Sequence, residues 1–179
     1  MIERLPKHLR RILALSIGRG LGGSCFLAGS IFRSKSLLAI GLPAVGERAF
    51  RRGKVEAAKA RALELLEIAE QAPTDWNYGN SIHKAHLLLG RIALARGDTA
   101  LAETELLASA RVPGSPQLNS FGPNMQLALE LLNAGCEDTV LEYFRLCEEF
   151  WEMGGTKLQR WSSDVRGGRL PEFGGNLLY

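Results

Sequence analysis

No stretch of this chain alternates apolar and polar residues over the length of a strand, which speaks against a fold built on sheets. Cysteine is scarce as well. Cys25, Cys136 and Cys147 form an odd set without a C-x-x-C pair, so neither a disulfide framework nor a zinc site is expected. Catalytic signatures are missing too: there is no G-x-S-x-G, no P-loop, and no pair of carboxylates that the sequence places in a cleft. No catalytic residue, cofactor or metal is assigned on this basis, and the chain is not expected to be an enzyme.

What is present is a chain of 179 residues with 46% hydrophobic and 23% charged residues, enough for one sizeable core plus a terminal extension. Its formal net charge of +3 conceals an uneven distribution. Residues 1–60 hold twelve Lys and Arg against three Asp and Glu, and residues 61–179 hold ten against sixteen. A basic front can meet anionic lipid, nucleic acid or the acidic body of the same chain. Nucleic acid is not the expected partner.

The front also differs in texture. Arg4, Lys7, Arg10 and Arg11 precede a mostly apolar stretch from Ile12 to Phe32, the outline of a secretory signal or signal anchor. Arg19 and the glycines at 18, 20, 22, 23 and 29 oppose a spanning helix. Residues 18–23 also fit G-x-G-x-x-G, but neither a second parallel strand nor the acidic residue about twenty positions on accompanies them, so no dinucleotide site is inferred. Residues 1–36 are therefore set apart as a basic, glycine-rich apolar extension, open between a membrane segment, a structural extension and sequence ahead of the true start. Residues 37–179 form the folded domain. A cytoplasmic location is expected, with membrane association through residues 1–35 as the alternative.

Within the domain, Gly53, Gly97 and Gly135 each close an alanine-rich apolar run and open a second amphipathic run, at spacings of 44 and 38 residues. Such a period marks supersecondary units that stack to bury their apolar faces. Between Ala57 and Gln71 the apolar positions Ala58, Ala62, Leu65, Leu66 and Ala69 recur at three and four, and Ile82–Ala95 and Val140–Trp151 repeat the pattern. Each turn glycine suits a helix C-cap with positive φ. Cys147 falls on the apolar stripe of the third unit. The expected fold is all-α: about three helical hairpins over 37–153, then a capping helix near 156–166 carrying Leu158, Trp161 and Val165. The tail, with Phe173, Leu177 and Tyr179, is expected to fold back on the stack.

His83 to Gly114 resembles a tetratricopeptide repeat, with Leu89-Gly90 at the small-residue contact, Gly97-Asp98 at the turn, Ala102 and Leu106 on the second helix and Pro113 near its end. Flanking units carry Gly46, Gly53 and Ala58 before it, and Ala128, Gly135, Val140 and Phe144 after it. Two polar blocks, Asp75-Trp76-Asn77-Tyr78-Gly79-Asn80 and the run Ser115 to Asn124, resemble a signature of bacterial tetratricopeptide-type proteins. The resemblance implies a right-handed stack of antiparallel hairpins and a protein-interaction role. It supplies no ligand.

Asn, Ser and Pro in such loops cap helices: Asn80 or Ser81 would cap the helix carrying His83, Asn119 or Ser120 the next, with Pro123 in its first turn. The same residues could instead converge as a binding edge, since aromatic anchors beside multi-donor amides suit peptide recognition. Trp76, Asn77, Tyr78, Asn80, His83, His86, Asn119, Phe121 and Asn124 are the candidate partner-binding residues for a non-catalytic scaffold that takes a peptide or protein. The alternative is a small-ligand receptor or enzyme using His83, His86, Asn80 and Asn124. His83 and His86 share a helical face, yet no third zinc ligand is evident beside them.

Basic residues flank the apolar run on both sides, so residues 1–35 are expected to lie on a surface, either the protein's own or a membrane's. Cell fractionation tests this: the expected outcome is a soluble or salt-released full-length chain, and extraction only by detergent would show a span instead.

Overall fold

The computed structural model describes residues 25–178, with side chains from Leu37 onward. The initial residues, including the G-x-G-x-x-G match and most of the apolar run, and Tyr179 lie outside the described residues. The chain divides between Phe32 and Arg33 into two compact units, and the helical stack belongs to the second.

Among the described residues the fold is all-α. Its helices are α1 (Cys25–Arg51), α2 (Val55–Glu70), α3 (Tyr78–Ala95), α4 (Thr99–Ala110), α5 (Pro116–Phe121), α6 (Gln126–Asn133), α7 (Glu137–Cys147) and α8 (Gly155–Arg166), with short 3-10 turns at Glu152–Gly154 and Gly174–Leu177. The pairs α1–α2, α3–α4 and α6–α7 are hairpins, and α3 packs on α2 and α6 as well as on its own partner α4.

The turn glycines end their helices in the same way. At Gly53, Gly97 and Gly135 φ is 70°, 80° and 83°. Each glycine N–H donates to the carbonyl three residues back, and the next N–H donates to the carbonyl five back: Gly97 to Leu94 at 3.0 Å and Asp98 to Ala93 at 3.0 Å, with the same pairs at Gly53/Lys54 and Gly135/Cys136. This pair of hydrogen bonds satisfies carbonyls that the helix end would otherwise orphan, and it needs a residue that tolerates positive φ. Gly168 repeats it at the end of α8. Asp98 then caps α4 by accepting from the Leu101 N–H at 3.0 Å.

Small residues set how closely the helices approach. A Cβ added at Gly90 would lie 2.4 Å from Leu127 Cδ2 and 3.1 Å from the Glu105 Cβ; one at Gly46 would lie 2.6 Å from Leu88 Cδ2 and 3.4 Å from the Arg61 Cβ. In the third hairpin, Ala128 and Val140 occupy the matching positions, both fully buried. Ala58, Ala102 and Val140 are thus equivalent core residues one repeat apart.

The main core gathers α4, α6, α7, α8 and the tail around Leu106, Leu127, Leu131, Tyr143, Phe144, Trp151, Trp161 and Phe173. Leu158, Trp161 and Val165 of α8 are buried, as a cap requires, and Cys147 is buried on its stripe. The tail does return: the Phe173 ring packs edge-on to Trp161 at 5.0 Å, and Trp161 Nε1–H donates to the Glu172 carbonyl at 3.1 Å.

Helix α1 continues through Pro43 to Arg51, and the second compact unit begins at Arg33. The second polar block is not a simple entry loop: Ser115 caps α5 by accepting from the Leu118 N–H at 3.1 Å, with Pro116 at the first helical position.

Gly97→Ala should destabilise the chain by about 1 kcal/mol or more, because alanine at positive φ is strained. Gly41→Ala, in a helix with nothing near its added methyl, should stabilise by about 0.5–1 kcal/mol. Thermal denaturation of the two variants should move in opposite directions.

Candidate binding site

The first polar block is largely consumed in building α3. The helix starts at Tyr78, so Asn80 and Ser81 sit in its first turn and do not cap it. Asn77, at the cap position, accepts no backbone N–H with its side chain; its own N–H donates to Asp75 Oδ1 at 2.8 Å. Its side-chain amide donates to Ser81 Oγ at 3.1 Å and accepts from Asn80 Nδ2 at 2.9 Å. Asn77 and Asn80 are buried, Tyr78 is half-buried, and Trp76 stays 58% exposed on the loop. Gly79, between them, permits a close crossing. A Cβ there would sit 1.9 Å from the carbonyl oxygen of Gly114, so the first block meets the backbone of the residue that immediately precedes the second.

The second block is similarly occupied. Asn119 lies inside α5, where its Oδ1 accepts from the Ser115 N–H at 3.1 Å, and Ser120 is exposed in the same helix; neither caps the next one. Met125 holds that cap position without a side-chain bond, and Asn124, one residue before it, accepts from the Gln126 N–H with its Oδ1 at 2.8 Å at the start of α6. Phe121 is 61% exposed.

His83 ties the blocks together. Its ring is 1% exposed. Nδ1 lies 2.9 Å from the Ser109 carbonyl, to which it donates, and Nε2 accepts from the Asn124 N–H at 3.2 Å. A carbonyl on one nitrogen and an N–H on the other fix the neutral tautomer with the proton on Nδ1. Burial agrees with this: desolvation, aided by nearby Lys84 and His86, lowers the His83 pKa to about 4. His86, one turn on, takes a different partner, with Nδ1 2.6 Å from Glu105 Oε2 on α4. Sharing a helical face therefore does not bring the two rings into one site. No group of three metal-ligating side chains gathers among the described residues.

Asn80, His83 and Asn124 do converge, with Lys84 and Gln117, on a cleft of about 10 Å³. That is the lower limit for one water molecule. Asn80 Oδ1 is buried there without a hydrogen-bond partner.

The larger concavity lies elsewhere. A groove of about 450 Å³ is lined by Pro43, Ala44, Glu47 and Arg51 of α1, Lys84, Leu87, Leu88 and Arg91 of α3, Asn124 and Gln126 at the head of α6, and Leu177 and Leu178 of the tail. The first helices of all three hairpins contribute to it. Arg91 crosses it, donating from its guanidinium to Glu47 at 2.7 Å on one side and to Glu130 at 3.0 and 3.1 Å on the other, while stacking 5.0 Å from the Phe50 ring centre. Of the expected partner-binding residues only Asn124 lines this groove.

The groove residues carry a signal in the sequence that the loop blocks outshine. Glu47 and Arg91 occupy the same position of their first helices, one residue after Gly46 and Gly90, and Glu130 stands one place further on in the third, two after Ala128; opposite charges near one register position can pair between neighbours in a stack. Among the described residues no helix is long and apolar enough to cross a membrane. Comparison with protein-family models, curated proteins and solved structures gives no match, so the functional reading rests on this geometry.

His83 has a pH signature. Its folded pKa, about 4, lies below the ordinary histidine value of 6.5, so between those values the unfolded chain binds a proton that the folded chain refuses. Its contribution is whole above pH 6.5 and is lost as the pH falls toward 4, up to about 3 kcal/mol. Urea denaturation at a series of pH values should show this slope, and His83→Gln should remove it.

Proposed function

We propose that the chain is a non-catalytic scaffold of tetratricopeptide type, a right-handed stack in a bacterial cell that binds a peptide or protein segment in the groove along its first helices. The observation that carries this reading is the composition of that groove. Exposed and half-buried apolar groups of the first hairpin and the tail, Pro43, Ala44, Leu177 and Leu178, stand beside polar and charged groups from all three hairpins, the usual make-up of a recognition site. Its course along three successive first helices suits an extended segment.

This moves the expected binding edge. Asn77 and His83 spend their side-chain hydrogen-bonding groups within the fold, as do the Asn80 amide N–H and the Asn119 carbonyl oxygen. Trp76 and Phe121 remain as exposed aromatic anchors outside the groove lining, placed to extend a larger interface. The competing enzyme or receptor reading draws less support. A general base needs a nitrogen free to take a proton, and both ring nitrogens of His83 are engaged, while the cleft beside it holds no substrate-sized volume.

Ala44 is small, exposed and on the groove lining, so Ala44→Trp fills the groove without disturbing the core. In pull-downs from the cell of origin, that variant should lose the partner that the parent chain retains, with an unchanged melting temperature. Trp76→Ala separates the sites: loss there with retention in Ala44→Trp would return binding to the loop edge.

A further inference from the structure

Four cations stand in the groove lining and at the tip of the first hairpin without an ion-pair partner among the described residues. Arg48, Arg51 and Arg52 end α1, and Lys84 lies on α3. Arg91, another cation of the lining, is different: Glu47 and Glu130 already neutralise it, and among the described residues Glu47 is the one carboxylate that lines the groove. Arg51 and Lys84 are therefore the uncompensated charges that face this space.

Lys84 is the more telling of the two. It is half-buried between apolar Leu87 and Leu88, and it also borders the small cleft beside Asn80. Desolvation lowers its pKa, so the chain holds an ammonium where it is poorly hydrated and gives it no carboxylate. The acidic residues to pair it are plentiful, since residues 61–179 carry sixteen Asp and Glu against ten Lys and Arg. The positive groove runs against the charge of the body around it.

On the reading that the groove takes a peptide, we propose that the bound segment is acidic, with carboxylates that meet Lys84 and Arg51 and apolar side chains that lie on Ala44 and Leu178. The apolar walls favour a peptide over nucleic acid. Leu87, Leu88, Leu177 and Leu178 line the groove and among the described residues no aromatic ring does, whereas single-stranded nucleic acid is held by rings on which bases stack. Leu178 is 86% exposed at the groove edge, an apolar surface for a partner side chain beside the charges. Charge pairing in a partly desolvated groove confers selectivity as well as faster association.

Panning a phage-displayed random-peptide library on the full-length chain tests this. The expected result is enrichment of Asp and Glu among selected peptides. The best of these should bind about tenfold more weakly to Lys84→Gln and to the exposed-site variant Arg51→Gln, and more weakly at high salt. Selected peptides without acidic bias, but lost in Ala44→Trp, would overturn the acidic partner and leave the groove standing. Selected peptides that Ala44→Trp retains, or a panning that yields no binder, would overturn the groove and the acidic partner together. Oligothymidylate or phosphatidylserine vesicles that bind more tightly than any peptide and depend on Lys84 would assign these cations to phosphate and sink the proposal.

Discussion

Where Gly90 passes Ala102 and Glu105, two helix backbones come so close that no β-carbon fits between them and Leu127, and the rest of the stack is arranged around that contact. Close approach lets Leu127 and Leu88 reach over the glycines of the neighbouring unit, so each hairpin seals the next. Side chains packed in this way forfeit stability if the spacing is altered by one methyl group. The positive-φ glycines at the hairpin tips serve the same end. They bring the second helix back at a fixed angle within a short turn, which keeps Ala58, Ala102 and Val140 in register with the small residues opposite.

The third unit does not follow the rule on glycine alone. Its first helix is short, Gln126–Asn133, and the chain spends residues 111–125 reaching it. Polar groups buried under that detour are bonded in series: Tyr143 donates to the Asn124 carbonyl at 3.0 Å, the Asn124 N–H donates to His83, and His83 donates to the Ser109 carbonyl. From the other side Asn176 donates to the Phe121 and Pro123 carbonyls at 3.1 and 3.0 Å, and its own backbone carbonyl accepts from the Met125 N–H at 2.8 Å. A buried residue that closes three such bonds fixes a loop more firmly than apolar packing, since losing any partner leaves a costly orphan.

The hairpins were legible in the chain because their causes are local. Period, turn glycine and small-residue position all lie within one repeat, and each acts on close neighbours along the chain. The roles of the polar blocks were not legible, for a physical reason. An asparagine that caps a helix, braces a loop or meets a ligand uses the same donors and acceptors, and which it does depends on what the fold brings within about 3 Å. Asn124 accepts from the Gln126 N–H at the head of α6 and Asn119 from the Ser115 N–H one turn back, and residue type alone does not separate the two roles. His83 shows the same limit: its partners lie 26 and 41 residues away.

Arg91 explains why the groove stays open. A cleft between three helices lined by leucines would gain by closing, at roughly 25 cal/mol for each Å² of apolar surface removed from water. A guanidinium spanning Glu47 on α1 and Glu130 on α6 sets the separation of those helices instead, and its stacking on Phe50 holds the plane of the fork. Arginine suits this position because its donors point in fixed directions, which a lysine's do not. The same ladder removes Arg91 from the charges that a partner could use. Charge that builds the groove and charge left to face a ligand are thus divided between Arg91 and the pair Arg51 and Lys84, residues at different levels of the same first helices.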